Sequence, residues 1–168
     1  MKYASIREMD ITNGIGIGCS IFLQGCSRHC FNCFNKETWD FNSGKEFTEE
    51  IEKQFIGLCN KSYIKFVSIL GGEPFDQSKD LYNFLIKLKK EVNKPIYIWS
   101  GYTYEELVKK EYAKDCIKEK LFDFLIDGKY IDELKDYKLK LKGSSNQRVI
   151  DIKKTIKNNK LYIINNLS

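Results

Sequence analysis

Three cysteines stand within eight residues, as Cys26-Ser27-Arg28-His29-Cys30-Phe31-Asn32-Cys33, a C-x3-C-x2-C spacing. Soft thiolate ligands match iron, and a loop this compact can wrap a single iron–sulfur cube. A cubane has four irons, and Cys26, Cys30 and Cys33 supply ligands for three of them. The remaining iron is open to a substrate or cofactor. A reactive cluster needs that vacancy, whereas a closed electron-transfer cluster does not have it.

Two other uses of the same residues stay open. A structural zinc site usually shows paired C-x2-C motifs or a Cys/His set, and His29, Cys19 and Cys59 could complete four ligands. A disulfide framework is disfavoured, because six cysteines in 168 residues fall below scaffold density. Cys19, Cys59 and Cys116 are scattered, each within an apolar pattern, and read as small core residues.

A second group is Gly71-Gly72-Glu73-Pro74. Two glycines after a strand permit a sharp turn and a close backbone approach to a ligand. Alone, such a turn carries little information. Downstream of a three-cysteine loop, its carboxylate and backbone carbonyls suit a ligand that carries an ammonium group.

Both groups must be placed by regular elements, and the hydrophobic pattern supplies them. Residues 19–24, 64–70, 95–99 and 121–126 read as buried strands, with shorter strands at 148–152 and 161–164. Thr48 is an N-cap for a helix with Ile51, Phe55, Leu58 and Cys59 on its apolar stripe. Leu81, Phe84, Leu85, Leu88 and Val92 form the stripe of a second helix. Thr103 and Glu106 have capping-box spacing for a third. The lysine-rich stretch 129–143 reads as a connection or flexible loop.

Strand, turn and helix at this rhythm predict an α/β fold of βαβ units with a parallel sheet. A full eight-unit barrel needs about 200 residues or more, so the length fits a partial, open β/α barrel. The Cys26 loop, the Gly71 turn, Ser100-Gly101-Tyr102 and Asp127-Gly128 each follow a strand's C-terminal end. In parallel α/β folds that edge holds the ligand sites.

Composition sets outer bounds. With 42% hydrophobic and 14% aromatic residues, the chain can bury a real core, and residues 1–168 are expected to form one domain. The net charge of +5 is spread along the chain, which argues for solvated faces rather than a nucleic-acid surface. No apolar run approaches the ~18 residues of a membrane span, and no signal peptide opens the sequence. Free cysteines then predict a cytoplasmic protein.

On these residues the chain resembles the radical S-adenosylmethionine superfamily, and within it the activating proteins of anaerobic ribonucleoside-triphosphate reductase. The likeness rests on Cys26, Cys30 and Cys33, followed by Asn35-Lys36-Glu37-Thr38-Trp39-Asp40-Phe41. It continues through Leu70-Gly71-Gly72-Glu73-Pro74, Trp99-Ser100-Gly101-Tyr102-Thr103, Asp127-Gly128 and Gly143-Ser144-Ser145-Asn146-Gln147-Arg148. These segments span nearly the whole chain.

The resemblance implies a [4Fe-4S] cluster held by Cys26, Cys30 and Cys33, with S-adenosylmethionine chelated by the fourth iron. Reductive cleavage of the sulfonium would yield a 5′-deoxyadenosyl radical. That radical would take a hydrogen atom from a glycine of the reductase's large subunit, leaving a glycyl radical. The same likeness assigns Gly71, Gly72 and Glu73 to the methionyl ammonium. Asn32, Cys33 and Phe34 fall against the adenine or the cluster, and Ser100 and Asp127 against the ribose or carboxylate. Trp39 and Phe41 fall beneath the cluster loop as packing. Arg148 and the Gly-Ser-Ser-Asn-Gln run are a reductase contact or a structural turn. A flavodoxin or ferredoxin is the implied electron donor. The chain departs from many superfamily members at Asn32, where an aromatic residue commonly precedes the last cysteine. It also carries Asn13-Gly14-Ile15-Gly16 where the family often has an Asp-Gly pair. The alternatives are a radical enzyme of the same kind acting on a small molecule or on another glycyl-radical enzyme, and a non-catalytic module stabilised by zinc or a cluster.

Overall fold

The computed structural model describes residues 1–166. Strands β1 (Lys2–Asp10), β2 (Gly18–Leu23), β3 (Lys45–Glu46), β4 (Phe66–Gly71), β5 (Ile96–Trp99), β6 (Phe124–Asp127) and β7 (Arg148–Asp151) form one sheet in the order β3-β1-β2-β4-β5-β6-β7. The central strands β2, β4, β5 and β6 run parallel. The flanks do not: β1 is antiparallel to β2 and β3, and β7 to β6. The parallel sheet read from the sequence is therefore the centre of a mixed one, and among the described residues its edge strands do not close on each other.

Helices α1 (Glu49–Cys59), α2 (Lys79–Glu91), α3 (Tyr104–Leu107), α4 (Ala113–Lys118) and α5 (Ile152–Asn158) lie between or after the strands. The cap signals act as expected. The Thr48 hydroxyl accepts from the Ile51 N–H, and Thr103 and Glu106 close a reciprocal capping box. The structure differs from the sequence reading at several elements. β1 and β3 are additional strands, α4 and α5 are additional helices, and residues 161–164 contribute only a bridge from Ile163 to Ile150.

Strand side chains alternate between two faces, and the faces are used differently. Ile21, Leu23, Val67, Ile69, Ile96, Ile98 and Leu125 share the main core with Phe55, Leu81, Phe84, Leu107, Cys116 and Ile152 from all five helices. Phe66, Tyr97 and Ile126 point the other way, into a smaller cluster with Trp99 and Leu141 that contains no helical residue. Helices on one face only, and a cluster of rings on the other, are what a partial barrel requires. The main core is close-packed around Phe84, whose ring meets Phe47 at 5.0 Å and Phe55 at 6.0 Å. Among the described residues no helix is long and apolar enough to cross a membrane.

Candidate functional site

Because β2, β4, β5 and β6 are parallel, the segments that follow them emerge at one edge. There they line a cavity of about 400 Å³ whose walls include Cys26, Cys30, Cys33, Phe34, Gly71, Gly72, Glu73 and Ser100. All three motif thiols therefore meet the Gly-Gly-Glu turn in one chamber.

The cysteine loop is built to wrap. Its two ends are tied together by the Gly25 N–H donating to Thr38 O at 2.7 Å and the Cys26 N–H donating to Trp39 O at 3.1 Å. Gln24 braces the loop, donating from Nε2 to Glu37 O and Asp40 O. Inside it, His29 and Asn32 take positive φ of 42° and 54°. That left-handed turn is one that His and Asn tolerate better than bulkier residues, which gives Asn32 a backbone reason to precede Cys33. The Asn32 side chain does not line the cavity. Its Nδ2 donates to Asp132 Oδ2 at 2.9 Å, on the outer side of the loop.

The thiols already have donors aimed at them. The Arg28 N–H points to Cys26 Sγ and the Asn35 N–H to Cys33 Sγ, each at 3.4 Å. The Tyr130 N–H faces Cys30. Burial pushes the Cys26 and Cys30 thiols up, partly offset by these N–H groups, so a metal must displace their protons. Two further buried donors in the same wall, Arg28 Nε and Trp39 Nε1, have no partner within the protein. Among the described residues no three His, Cys, Asp or Glu side chains converge as they would on a single ion. A cube distributes its thiolates over different irons, so three thiols around one chamber, with spare N–H donors for its sulfides, fit a cluster better than zinc. Cys19 and Cys59 are buried in the main core instead, and His29 stacks on Trp39 at 4.4 Å.

The Gly-Gly-Glu turn is locked against the base of the cysteine loop. The Gly72 N–H donates to Leu23 O and the Glu73 N–H to Gly25 O, both at 2.9 Å. Gly71 has φ +111°, and a Cβ on Gly72 would lie 2.3 Å from Gly25 O, so neither position admits a side chain without backbone movement. Glu73 is buried. Its carboxylate accepts from Ser100 Oγ at 2.9 Å, the Gly101 N–H at 2.6 Å and the Phe75 N–H at 3.1 Å. Burial wins over these donors and raises its pKa to about 7.

Asp127 lies apart from this chamber. It is fully buried, and it accepts from Arg148 Nε at 2.9 Å and from the Tyr104 N–H at 2.7 Å. Asp127 is ion-paired with Arg148 and does not line the chamber, so the structure gives it the work of fixing β6 to β7 and α3. Phe41 covers Gly25 from outside, and Trp39, which the sequence placed beneath the loop, is part of the chamber wall.

Several lining residues lie outside the site residues read from the sequence. Arg7 arrives from β1, with its guanidinium 4.6 Å from the Phe22 ring centre. Thr12 and Asn13 come from the loop after β1, which Asp10 gathers through bonds from Thr12, Asn13 and Ser20. Stretch 129–143 contributes Tyr130, Leu139, Leu141, Lys142 and Gly143 rather than hanging free. The Gly-Ser-Ser-Asn-Gln run holds it there. Gln147 Oε1 accepts from the Gly143 N–H while its Nε2 donates to Gly128 O, and Asn146 Nδ2 donates to Lys129 O. Trp99 Nε1 adds a bond to Leu141 O at 2.7 Å.

A family profile described as a 4Fe-4S single cluster domain matches residues 12–150. The anaerobic ribonucleoside-triphosphate reductase-activating protein of Escherichia coli (strain K12) is 37% identical, over 89% of this chain and 97% of its own length. The proteins of the same name from Haemophilus influenzae and Enterobacteria phage T4 are each 34% identical, over 88% and 89% of this chain and 96% and 93% of their own lengths.

Proposed function

The chain belongs to the family of anaerobic ribonucleoside-triphosphate reductase-activating proteins, with their 4Fe-4S single-cluster domain, and from that premise we propose that it installs a glycyl radical on such a reductase. Cys26, Cys30 and Cys33 would hold three irons of the [4Fe-4S] cluster. The observation that carries the reading is that these thiols share one chamber with the buried Glu73. When bound, the cluster and S-adenosylmethionine supply a one-electron cleavage of the cofactor and, through it, removal of a hydrogen atom from a glycine of the reductase.

The protein's part is to bind, orient and shield. The N–H groups of Arg28, Asn35 and Tyr130 hold the ligand sulfurs. The backbone of Gly71 and Gly72 and the carboxylate of Glu73 would receive the methionyl amino group, with Ser100 fixing Glu73 Oε1. Phe34, tilted against Tyr130 with ring centres 5.1 Å apart, walls the space beside the cluster for the adenine. Asn32 shapes and tethers the loop from outside. Asp127 anchors Arg148 rather than the cofactor.

A flavodoxin or ferredoxin delivers the electron, and the protein works as a single domain in the cytoplasm, without nucleic acid or membrane. Incubating cluster-loaded protein with the reductase, S-adenosylmethionine and a reductant tests the reading. A glycyl-radical electron paramagnetic resonance signal on the reductase is expected. Its absence, with the cluster intact and reduced, would contradict it.

A further inference from the structure

We propose that Arg28 is the carboxylate anchor of the site, pairing with the amino-acid end of the bound cofactor opposite Glu73. The inference rests on S-adenosylmethionine being the ligand, as argued above.

Arg28 lies inside the cysteine loop, between Cys26 and Cys30, and lines the chamber. Its guanidinium is stacked 4.4 Å from the centre of the Tyr102 ring. That ring is itself held, because the Tyr102 hydroxyl donates to Asp76 Oδ1 at 2.8 Å and the Tyr102 N–H donates to Ser100 Oγ at 3.1 Å. The side chain is thus pre-oriented, yet its Nε–H is buried with no acceptor. A buried donor costs free energy unless something accepts from it, so a ligand atom is the natural partner.

The neighbour that could neutralise Arg28 does not. A Cβ built on Gly101 would be 3.4 Å from both Arg28 Nε and Glu73 Oε2, so both side chains reach the same backbone point. Among the described residues they form no ion pair, and all three hydrogen bonds to Glu73 come from other groups. A guanidinium whose Nε–H has no acceptor and a buried carboxylate without a cationic partner face one chamber, which is complementary to the amino and carboxylate groups of an amino-acid end. An α-amino acid end chelated to the open iron would turn its amino N–H toward Glu73 and its carboxylate toward Arg28. Arginine suits that task because its planar fork matches a carboxylate in two parallel bonds.

The test is the affinity of anaerobic, cluster-loaded protein for S-adenosylmethionine, read by the change it causes in the reduced cluster's paramagnetic signal. Iron content and the signal without cofactor are measured alongside. Arg28→Gln should keep its iron and weaken binding about 10- to 100-fold, the range for a charged hydrogen-bonded pair. Arg28→Lys should recover part of that loss by restoring the charge. Decarboxylated S-adenosylmethionine, tested by competition, should lose little on Arg28→Gln. Binding by Arg28→Gln within twofold of the parent would overturn the inference. So would an equal loss for both cofactors, or loss of iron from both variants, since Arg28 would then be holding the loop. Failure of the parent protein itself to bind S-adenosylmethionine would instead overturn the functional reading.

Discussion

Ser100 Oγ donates to Glu73 Oε1 at 2.9 Å across the gap between the ends of β5 and β4. That bond joins two strand-end turns that the sequence offers only as separate segments. It also holds a carboxylate in a buried position where its charge is costly.

The cost has a pH signature. The Glu73 pKa is raised to about 7 from an ordinary 4.5, mainly by burial. The folded state therefore binds more protons than the unfolded state between those values, so stability should fall as pH rises through that window. The effect is on the order of 3 kcal/mol at most, at about 1.36 kcal/mol per pKa unit. Urea unfolding of the apoprotein between pH 5 and pH 8 should show this decline, and Glu73→Gln should flatten it. An unchanged slope in the variant would assign the titration to another group.

Gly72→Ala should be strongly destabilising, because the new methyl would lie 2.3 Å from Gly25 O, a backbone atom that cannot swing away. A loss of about 2–4 kcal/mol is expected, in the range of forced overpacking and backbone strain, and thermal unfolding measures it. Iron uptake should fall with it, since the same contact seats the cysteine loop.

The six cysteines should divide into two classes. Cys30→Ala should abolish cluster assembly. Cys59→Ala, deep in the core beside Cys19, should keep full iron content and lose about 1–2 kcal/mol of stability as a small cavity. Iron and sulfide analysis of both variants decides it.

Asp127 and Arg148 should behave as a structural pair. Arg148→Ala strands a buried carboxylate and should cost about 3–5 kcal/mol. Asp127→Asn, which keeps the shape, should leave S-adenosylmethionine affinity within about twofold. A larger loss of affinity would return Asp127 to the cofactor site.

The parallel centre of the fold was legible because β2, β4 and β5 are largely apolar runs that lead into glycine- or serine-containing turns. The thiols and the Gly-Gly-Glu turn were legible because their chemistry demands tight local spacing. β1 was not, since its nine residues bury only Tyr3 and Asp10 and show no β-branched run. Nor were α4 and α5, which are six and seven residues long, too short to establish a period. Arg28, Arg7 and Tyr130 escaped notice as chamber residues because only the folded chain brings them to the thiols. Asp127 was assigned to the cofactor by its place at a strand end, and the partner that occupies it, Arg148, is 21 residues away in sequence.

The most direct test of the central claim is 5′-deoxyadenosine formation. The protein would be prepared anaerobically, reconstituted with iron and sulfide, and given dithionite and S-adenosylmethionine. The account predicts 5′-deoxyadenosine from the parent protein and none from a Cys26→Ala, Cys30→Ala, Cys33→Ala variant. A parent protein that assembles its cluster, accepts the electron and leaves S-adenosylmethionine intact would contradict it.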